Sequence, residues 1–298
     1  MGIRYLKKPV IEHPSNLNPS AKAVRLGLSL GKRDLFIFPE RITMVTAYAI
    51  AATVVLAAMT CVFLLALVLK DNSIVDIAYG MVFTAAAWVL TAGLGSAHPR
   101  QALLLFMVTA WGLRLAIHLF VRKRGKGEDF RYRAWREQWG RTFIVRSYFQ
   151  IYILQGLVIL IVASPVIAGI TRPGGPLGIL DLAGAAVWFT GLYFEAVGDW
   201  QLMRFKADPM NRGRIITTGL WRYTRHPNYF GEALLWWGFY IVALGSPGAW
   251  WTIISPLTID FLLLKVSGIP MLEKRYKGNP EFEDYKKRTS PLIPWFPK

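Results

Sequence analysis

The residues best suited to chemistry stand together in Gly219-Leu220-Trp221-Arg222-Tyr223-Thr224-Arg225-His226-Pro227-Asn228-Tyr229-Phe230-Gly231-Glu232, directly ahead of an apolar run. Arg222 and Arg225 bring guanidinium forks that fit phosphate oxygens, and Asn228 can donate and accept in one plane. Glu232 enters the apolar run as a carboxylate that needs a partner. Together these side chains suit the holding of a large, polar cofactor at a membrane entrance.

Polar residues interrupt other apolar runs as well. Trp111, Arg114 and His118 fall at i, i+3 and i+7, so a helix carries them as one stripe that must face protein or a water-filled cavity. Glu195, Asp199 and Lys206 fall at i, i+4 and i+11, again one helical face. Asp76 and Tyr79 are three apart and share a face. A charge at bilayer depth costs about 2.5–3.5 kcal/mol on insertion scales, so each of these residues calls for a ligand or a paired partner. Arg114 could be that partner for Asp76 or Glu195. Asp260 and Lys265, near the end of the last run, read as helix pairing or snorkelling.

The elements that must position these residues are membrane helices. The chain has 298 residues, 54% of them hydrophobic, and a positive mean hydropathy, too apolar for a soluble domain of this length. Seven apolar runs are legible, at 42–69, 74–97, 101–121, 147–170, 179–198, 228–244 and 249–270. They predict an all-α integral membrane protein of seven transmembrane helices. Residues 1–41, with four prolines and eight Lys/Arg against three Asp/Glu, read as a surface tail ahead of a single membrane domain over 42–298. The stretch 122–146 reads as the longest internal polar loop, with nine Lys/Arg.

The formal charge of +17 fits nucleic acid, anionic lipid headgroups or an anionic cofactor. Because the basic residues sit in loops between apolar runs, the last two readings stand, and nucleic acid does not. Loops 122–146 and 199–227 and the segment after 270 hold nearly all of them, which places that side and the C-terminus in the cytoplasm. The basic N-terminal tail argues the other way. The single cysteine, Cys61, excludes an internal disulfide. Four scattered histidines and no paired cysteines give no metal site. Neither a Gly-x-Gly-x-x-Gly turn nor a P-loop is present, so the cofactor site is of another kind.

The Gly219 to Glu232 stretch resembles the C-terminal signature of the steroid 5α-reductase family, and more closely its bacterial relatives that carry the uncharacterised membrane domain DUF1295. The likeness extends upstream through Gly198-Asp199-Trp200-Gln201-Leu202 to Lys206, with the strongest part over 195–235. It is weaker through Trp111-Gly112-Leu113-Arg114 and Glu128-Asp129-Phe130-Arg131-Tyr132. The resemblance implies a monomeric seven-helix reductase of the bacterial inner membrane that binds NADPH from the cytoplasm and reduces a steroid-like enone drawn from membrane lipid.

It further implies that Asp199, Asn228, Tyr229 and Glu232 contact the nicotinamide and ribose, with Trp221, Arg225 and His226 in the same signature. Arg114, Arg122, Lys123 and Lys206, with Arg131 and Tyr132, are implied around the rest of the cofactor. The family keeps a glutamate and a tyrosine that polarise the substrate carbonyl. Here Asp76 and Trp111 stand in those places, and Tyr79, oriented by Asp76, is expected to donate the proton instead. Two other readings share parts of this pattern: an S-adenosylmethionine-dependent membrane methyltransferase of the isoprenylcysteine carboxyl methyltransferase type, and a non-catalytic sterol- or lipid-binding membrane protein. Asn228 and Glu232 favour the reductase over the methyltransferase.

Overall fold

The computed structural model describes residues 43–95 and 98–297. The tail expected over 1–41 lies outside the described residues. Among those residues the chain is helical throughout, with no strand and one isolated bridge between Thr224 and Ser290. In hydrocarbon no water is present to satisfy a peptide group, so long apolar runs close their hydrogen bonds internally as helices.

Helix α1 (Met44–Leu69) is capped by Thr43, whose hydroxyl accepts from Thr46 N at 3.1 Å, and it ends at Lys70 in the left-handed region. Helix α2 (Ile74–Leu94) follows. Helix α3 (Pro99–Lys123) opens on a reciprocal cap, Arg100 N donating to His98 Nδ1 and His98 N to Gln101 Oε1. The stretch read as a polar loop is largely helical: α4 (Phe130–Trp139) and α5 (Phe143–Ser147) run through a π-turn at Tyr148–Ile153 into α6 (Leu154–Val162). Arg131, Arg133, Arg136 and Arg146 obscure this in the sequence, because a polar helix at a membrane surface lacks the apolar run that marks a span. Pro165 starts α7 (Ser164–Thr171), and α8 (Ile179–Ala207) returns across the membrane. Then come α9 (Pro227–Ala243), α10 (Ile254–Phe261), α11 (Ile269–Arg275) and α12 (Pro280–Arg288).

Among the described residues six helical segments are long and apolar enough to cross a membrane: Met44–Leu69, Ile74–Leu94, Pro99–Lys123, Phe130–Val162, Ile179–Ala207 and Ala249–Arg275. The protein is therefore an integral membrane protein. Helix α9, the sixth of the expected spans, has 17 residues and is not among them.

Glycines set how closely the site-bearing helices approach. Gly184, Gly191 and Gly198 recur every seven residues on α8, facing Gly231 and Gly238 of α9. A Cβ at Gly191 would lie 2.5 Å from Leu235 N and 2.7 Å from the Gly231 carbonyl oxygen. Helices α2 and α3 cross in the same way, a Cβ on Gly80 meeting the Gly112 carbonyl oxygen at 2.8 Å. Lipid tails are as apolar as leucine, so association rests on such close backbone packing. Around these crossings Phe83, Trp111, Trp236 and Phe239 pack ring against ring, with centroids 5.0–5.4 Å apart along the chain of contacts. Gly191→Ala is expected to lower the melting temperature of the detergent-solubilised protein, by about 1–3 kcal/mol of stability. Gly93→Ala, whose Cβ meets nothing within 4 Å, should not. Equal melting of the two variants would refute the crossing as a close-packed contact.

Candidate functional site

The glycine crossing sets the α8 carboxylates beside the start of α9. A Cβ on Gly198 would lie 3.1 Å from Asn228 N, so Asp199 on α8 and Asn228 on α9 meet, Asn228 Nδ2 donating to Asp199 Oδ1 at 3.1 Å. Helix α3 brings Arg114 to the same point. Its Nη1 donates to Glu195 Oε1 at 2.6 Å, and its Nη2 to Asp199 Oδ2 at 2.6 Å and to the Glu195 carbonyl at 2.8 Å. One turn further along α3, His118 Nε2 stands 3.5 Å from that Asp199 oxygen. The stripe Trp111, Arg114 and His118 thus faces protein. Arg114 takes Glu195 as its partner, not Asp76.

One guanidinium serves several carboxylates here. Glu232, one turn into α9, stands within Coulomb range of Asp199 and Arg114, yet it makes no hydrogen bond or ion pair among the described residues. Tyr79 lies within Coulomb range of Glu232, and its hydroxyl likewise has no hydrogen-bond partner among them. Glu195 Oε2 and Trp111 Nε1 are buried and form no well-aligned hydrogen bond, although the indole lies close enough to Glu195 to interact with it. Polar groups with spare hydrogen-bonding capacity around a paired arginine are what the binding of a polar ligand requires.

Above this group the basic residues gather. Lys206 at the end of α8 stands within Coulomb range of Arg122, Lys126 and Arg275. Among the described residues none of these four forms an ion pair. Lys126 and Arg275 were not singled out from sequence. Arg275 sits at the end of the last apolar run, where cations are common at any membrane edge, so only the fold distinguishes it.

Asp76 is placed differently from the expectation. Tyr132 OH donates to its Oδ1 at 2.7 Å and Arg131 Nη2 to its Oδ2 at 2.7 Å, so Asp76 is not bonded to Tyr79 and does not orient it. Sharing a helix face brings two side chains near one another, but a cation and a phenol from α4 outcompete a neighbour on the same helix. The loop leading into α4 is held in the same style. Arg131 also donates to Asp129 at 2.9 Å, and Lys123 pairs with Asp71 at 2.5 Å and bonds Ser73. Glu128 accepts from Asn72 N at 2.9 Å and from Arg136 Nε and Nη2 at 3.0 and 2.9 Å. Burial acts to raise the Glu128 pKa, but Arg136 and the Asn72 hydrogen bonds outweigh it and hold the carboxyl below its usual value. Asp129 is lowered likewise, burial being outweighed by Arg131.

The remaining signature residues build the support of the site. Arg225 is buried, pairs with Glu273 at 2.9 Å and donates to the Thr289 carbonyl at 2.5 Å and the Lys286 carbonyl at 3.2 Å. His226 Nε2 stands 3.3 Å from the same Glu273 oxygen, and its ring stacks on Tyr229 with centroids 5.5 Å apart. The Trp221 indole donates to the Gly198 carbonyl at 3.1 Å, and Tyr285 OH donates to the Trp221 carbonyl. Thr224 Oγ1 donates to the Leu292 carbonyl at 2.7 Å. So Trp221 to His226 are clamped by α8, α11 and the segment after α12, which presents Asn228, Tyr229 and Glu232 from a rigid base. Asp260 receives the Trp237 indole N–H at 3.1 Å, a helix pairing as its position implied. Among the described residues no group of His, Cys, Asp or Glu is arranged to hold a metal ion.

A family model described as a protein of unknown function (DUF1295) matches residues 62–289. Among curated proteins, an uncharacterized protein of Schizosaccharomyces pombe is 32% identical in an alignment covering 62% of each chain. The 3-oxo-5-alpha-steroid 4-dehydrogenase 1 of Rattus norvegicus is 29% identical over 38% of this chain and 41% of its own. The chain thus spans less than two thirds of the length of either relative. No solved structure matches it.

Proposed function

Starting from the fact that the chain belongs to the DUF1295 family, of which the site-bearing helices are part, we propose that it is an NADPH-dependent membrane reductase that adds hydride and a proton across the C=C of a lipophilic enone, such as a 3-oxo-Δ4 steroid. The observation that carries this reading is one arrangement: Glu232 and Tyr79, without hydrogen bonds among the described residues, beside the Arg114–Asp199–Asn228 cluster, below four cations that form no ion pair among those residues. The name of the rat relative points the same way.

The donor set fits a dinucleotide phosphate. Arg122 and Lys206, with Lys126 and Arg275, supply the charge its phosphates need, and a lysine gives point charge where an arginine would give a fork. Asn228 and Asp199 fix one another, so each keeps a lone pair or an N–H in a set direction for a ribose or carboxamide. Tyr229 is oriented by its stack on His226. Arg225, Trp221 and His226 act through the base of the site, and Lys123, Arg131 and Tyr132 through the loop that closes beside it. NADPH bound there would supply the hydride.

Hydride addition to the β-carbon of an enone builds negative charge on the carbonyl oxygen, and a donor aimed at that oxygen lowers the barrier. Tyr79 is assigned that donation, since its hydroxyl is uncommitted and near Glu232. Trp111 and its neighbours Phe83 and Trp236 form an apolar wall that keeps water from the reacting atoms. Asp76 holds α4 against α2 in support. On this reading α9 is the sixth of seven spans, about 26 Å long at 1.5 Å per residue, and the basic loops put the cofactor side in the cytoplasm.

Purified protein is expected to bind NADPH at least tenfold more tightly than NADH, about 1.4 kcal/mol, and Arg122→Ala with Lys206→Ala should erase the difference. Asn228→Ala and Glu232→Ala should abolish retention of the dinucleotide while leaving a monodisperse protein. Equal affinity for the two dinucleotides, or retention of S-adenosylmethionine in their place, overturns the reading.

A further inference from the structure

A second charged and aromatic feature lies outside the site just described. The segment after α12 folds back over the signature and leaves a cleft of about 330 Å³ lined by Arg225, Lys286, Lys287, Arg288, Trp295 and Phe296, among others. Its charge is not balanced. Arg225 and Lys286 share the single carboxylate of Glu273, Arg288 pairs only with the exposed Asp284 one helical turn away, and Lys287 forms no ion pair among the described residues. Four cations therefore face two carboxylates.

The aromatic side is equally distinctive. Trp295 and Phe296 are 69% and 78% exposed, and Ile293 is 66% exposed. They are not on a loose end. Trp295 N donates to the Tyr223 carbonyl at 2.9 Å, the Phe296 ring meets the Tyr223 ring at 6.2 Å, and Arg225 N donates to the Ser290 carbonyl at 2.9 Å. The backbone is held while large apolar rings point outward, which is costly in water and favourable at a membrane interface. The cleft also lies at the right level. It packs on residues 223–225, just ahead of the start of α9, and on the side where the last apolar segment ends at Arg275.

We propose that this cleft binds the phosphate of an anionic phospholipid headgroup, with Trp295 and Phe296 seated among the lipids beside it. Cations supply the attraction to the phosphate and the rings supply the interfacial burial, a pairing that a neutral lipid or free phosphate satisfies only by half. The occupant is a lipid because the phase adjoining this face of a membrane protein is the bilayer itself. Since Arg225 belongs both to the cleft and to the base of the signature, an occupied cleft steadies Thr224 to Pro227. The inference does not depend on the reductase reading.

The test uses the full chain in a neutral detergent, titrated with dihexanoyl phosphatidylglycerol, dihexanoyl phosphatidylcholine or inorganic phosphate and followed by native mass spectrometry and thermophoresis. Phosphatidylglycerol is expected to bind saturably and the other two at least tenfold more weakly. Lys287→Gln with Arg288→Gln should weaken phosphatidylglycerol at least tenfold, at roughly fivefold per cation. Trp295→Ser should weaken it without strengthening phosphate. If the double variant melts early, Lys287→Gln alone, which breaks no ion pair, carries the fivefold expectation. Equal binding of the two lipids, phosphate as tight as phosphatidylglycerol, or a Lys287 variant that binds like the parent would overturn the proposal.

Discussion

Arg100→Ala is expected to be the most destabilising single substitution described here, costing about 3–5 kcal/mol. Arg100 and Asp181 are each 3% exposed and joined by two hydrogen bonds, of 2.6 and 2.7 Å. The guanidinium also donates to the carbonyls of Pro173, Gly175 and Pro176, so it organises the whole turn between α7 and α8. Removing it leaves the buried Asp181 carboxylate with only the Gly178 N–H, and takes the donor from three carbonyls of the turn. The measurement is thermal melting of purified protein, with recovery from membranes as a second reading. Replacing both partners by Arg100→Met and Asp181→Leu should regain part of the loss, since the unpaired charge is gone, but not all of it, because the turn between α7 and α8 loses the donor that orders it. A single variant as stable as the parent would mean that the pair is incidental.

Tyr79→Phe is expected to lower turnover about a hundredfold, on the order of 3 kcal/mol of transition-state stabilisation, with dinucleotide affinity unchanged. The hydroxyl has no partner among the described residues, so its loss breaks no packing and strands no buried group. The ring would keep its edge-to-face contact with Phe83, centroids 5.2 Å apart. The assay is reduction of testosterone or progesterone read by mass spectrometry, beside a dinucleotide titration of the same variant. Asp76→Asn should be milder, because Asp76 acts on α4 through Arg131 and Tyr132. Full activity in Tyr79→Phe with none in Asp76→Asn would move the proton donor to Tyr132 or beyond.

Much of the site was legible because helical spacing is a strong constraint. Trp111, Arg114 and His118 had to share a face, as did Glu195 and Asp199, and these two stripes do meet. What spacing cannot supply is the partner from another helix. Asp76 and Tyr79 share a face, yet Asp76 binds Arg131 and Tyr132, which stood in a stretch whose charges hid a helix. The Arg100–Asp181 pair escaped notice for a different reason: each residue stands at a helix start, where a charge reads as a surface feature. A signal was present. At the end of the bundle away from the basic loops, the described residues carry only Arg100, Arg172 and Asp181 as formal charges, and the one acid there needed a base. The expected sixth span shows the limit of hydropathy and length taken together, since Glu232 and three aromatic residues at 236, 237 and 240 dilute a helix of only 17 residues.

The clamp on the signature has a consequence for how the protein is made. Residues 221–232 leave the ribosome well before Glu273, Tyr285, Ser290 and Leu292, the residues that hold them. At about 5–20 residues per second, the later segment follows on the order of several seconds behind. During that interval the helices on either side can insert, while Arg225 lacks its acid and Thr224 its carbonyl. Assembly of the signature thus waits on synthesis past Leu292, and a nascent chain halted before Glu273 has its earlier membrane helices without the clamp on residues 221–226.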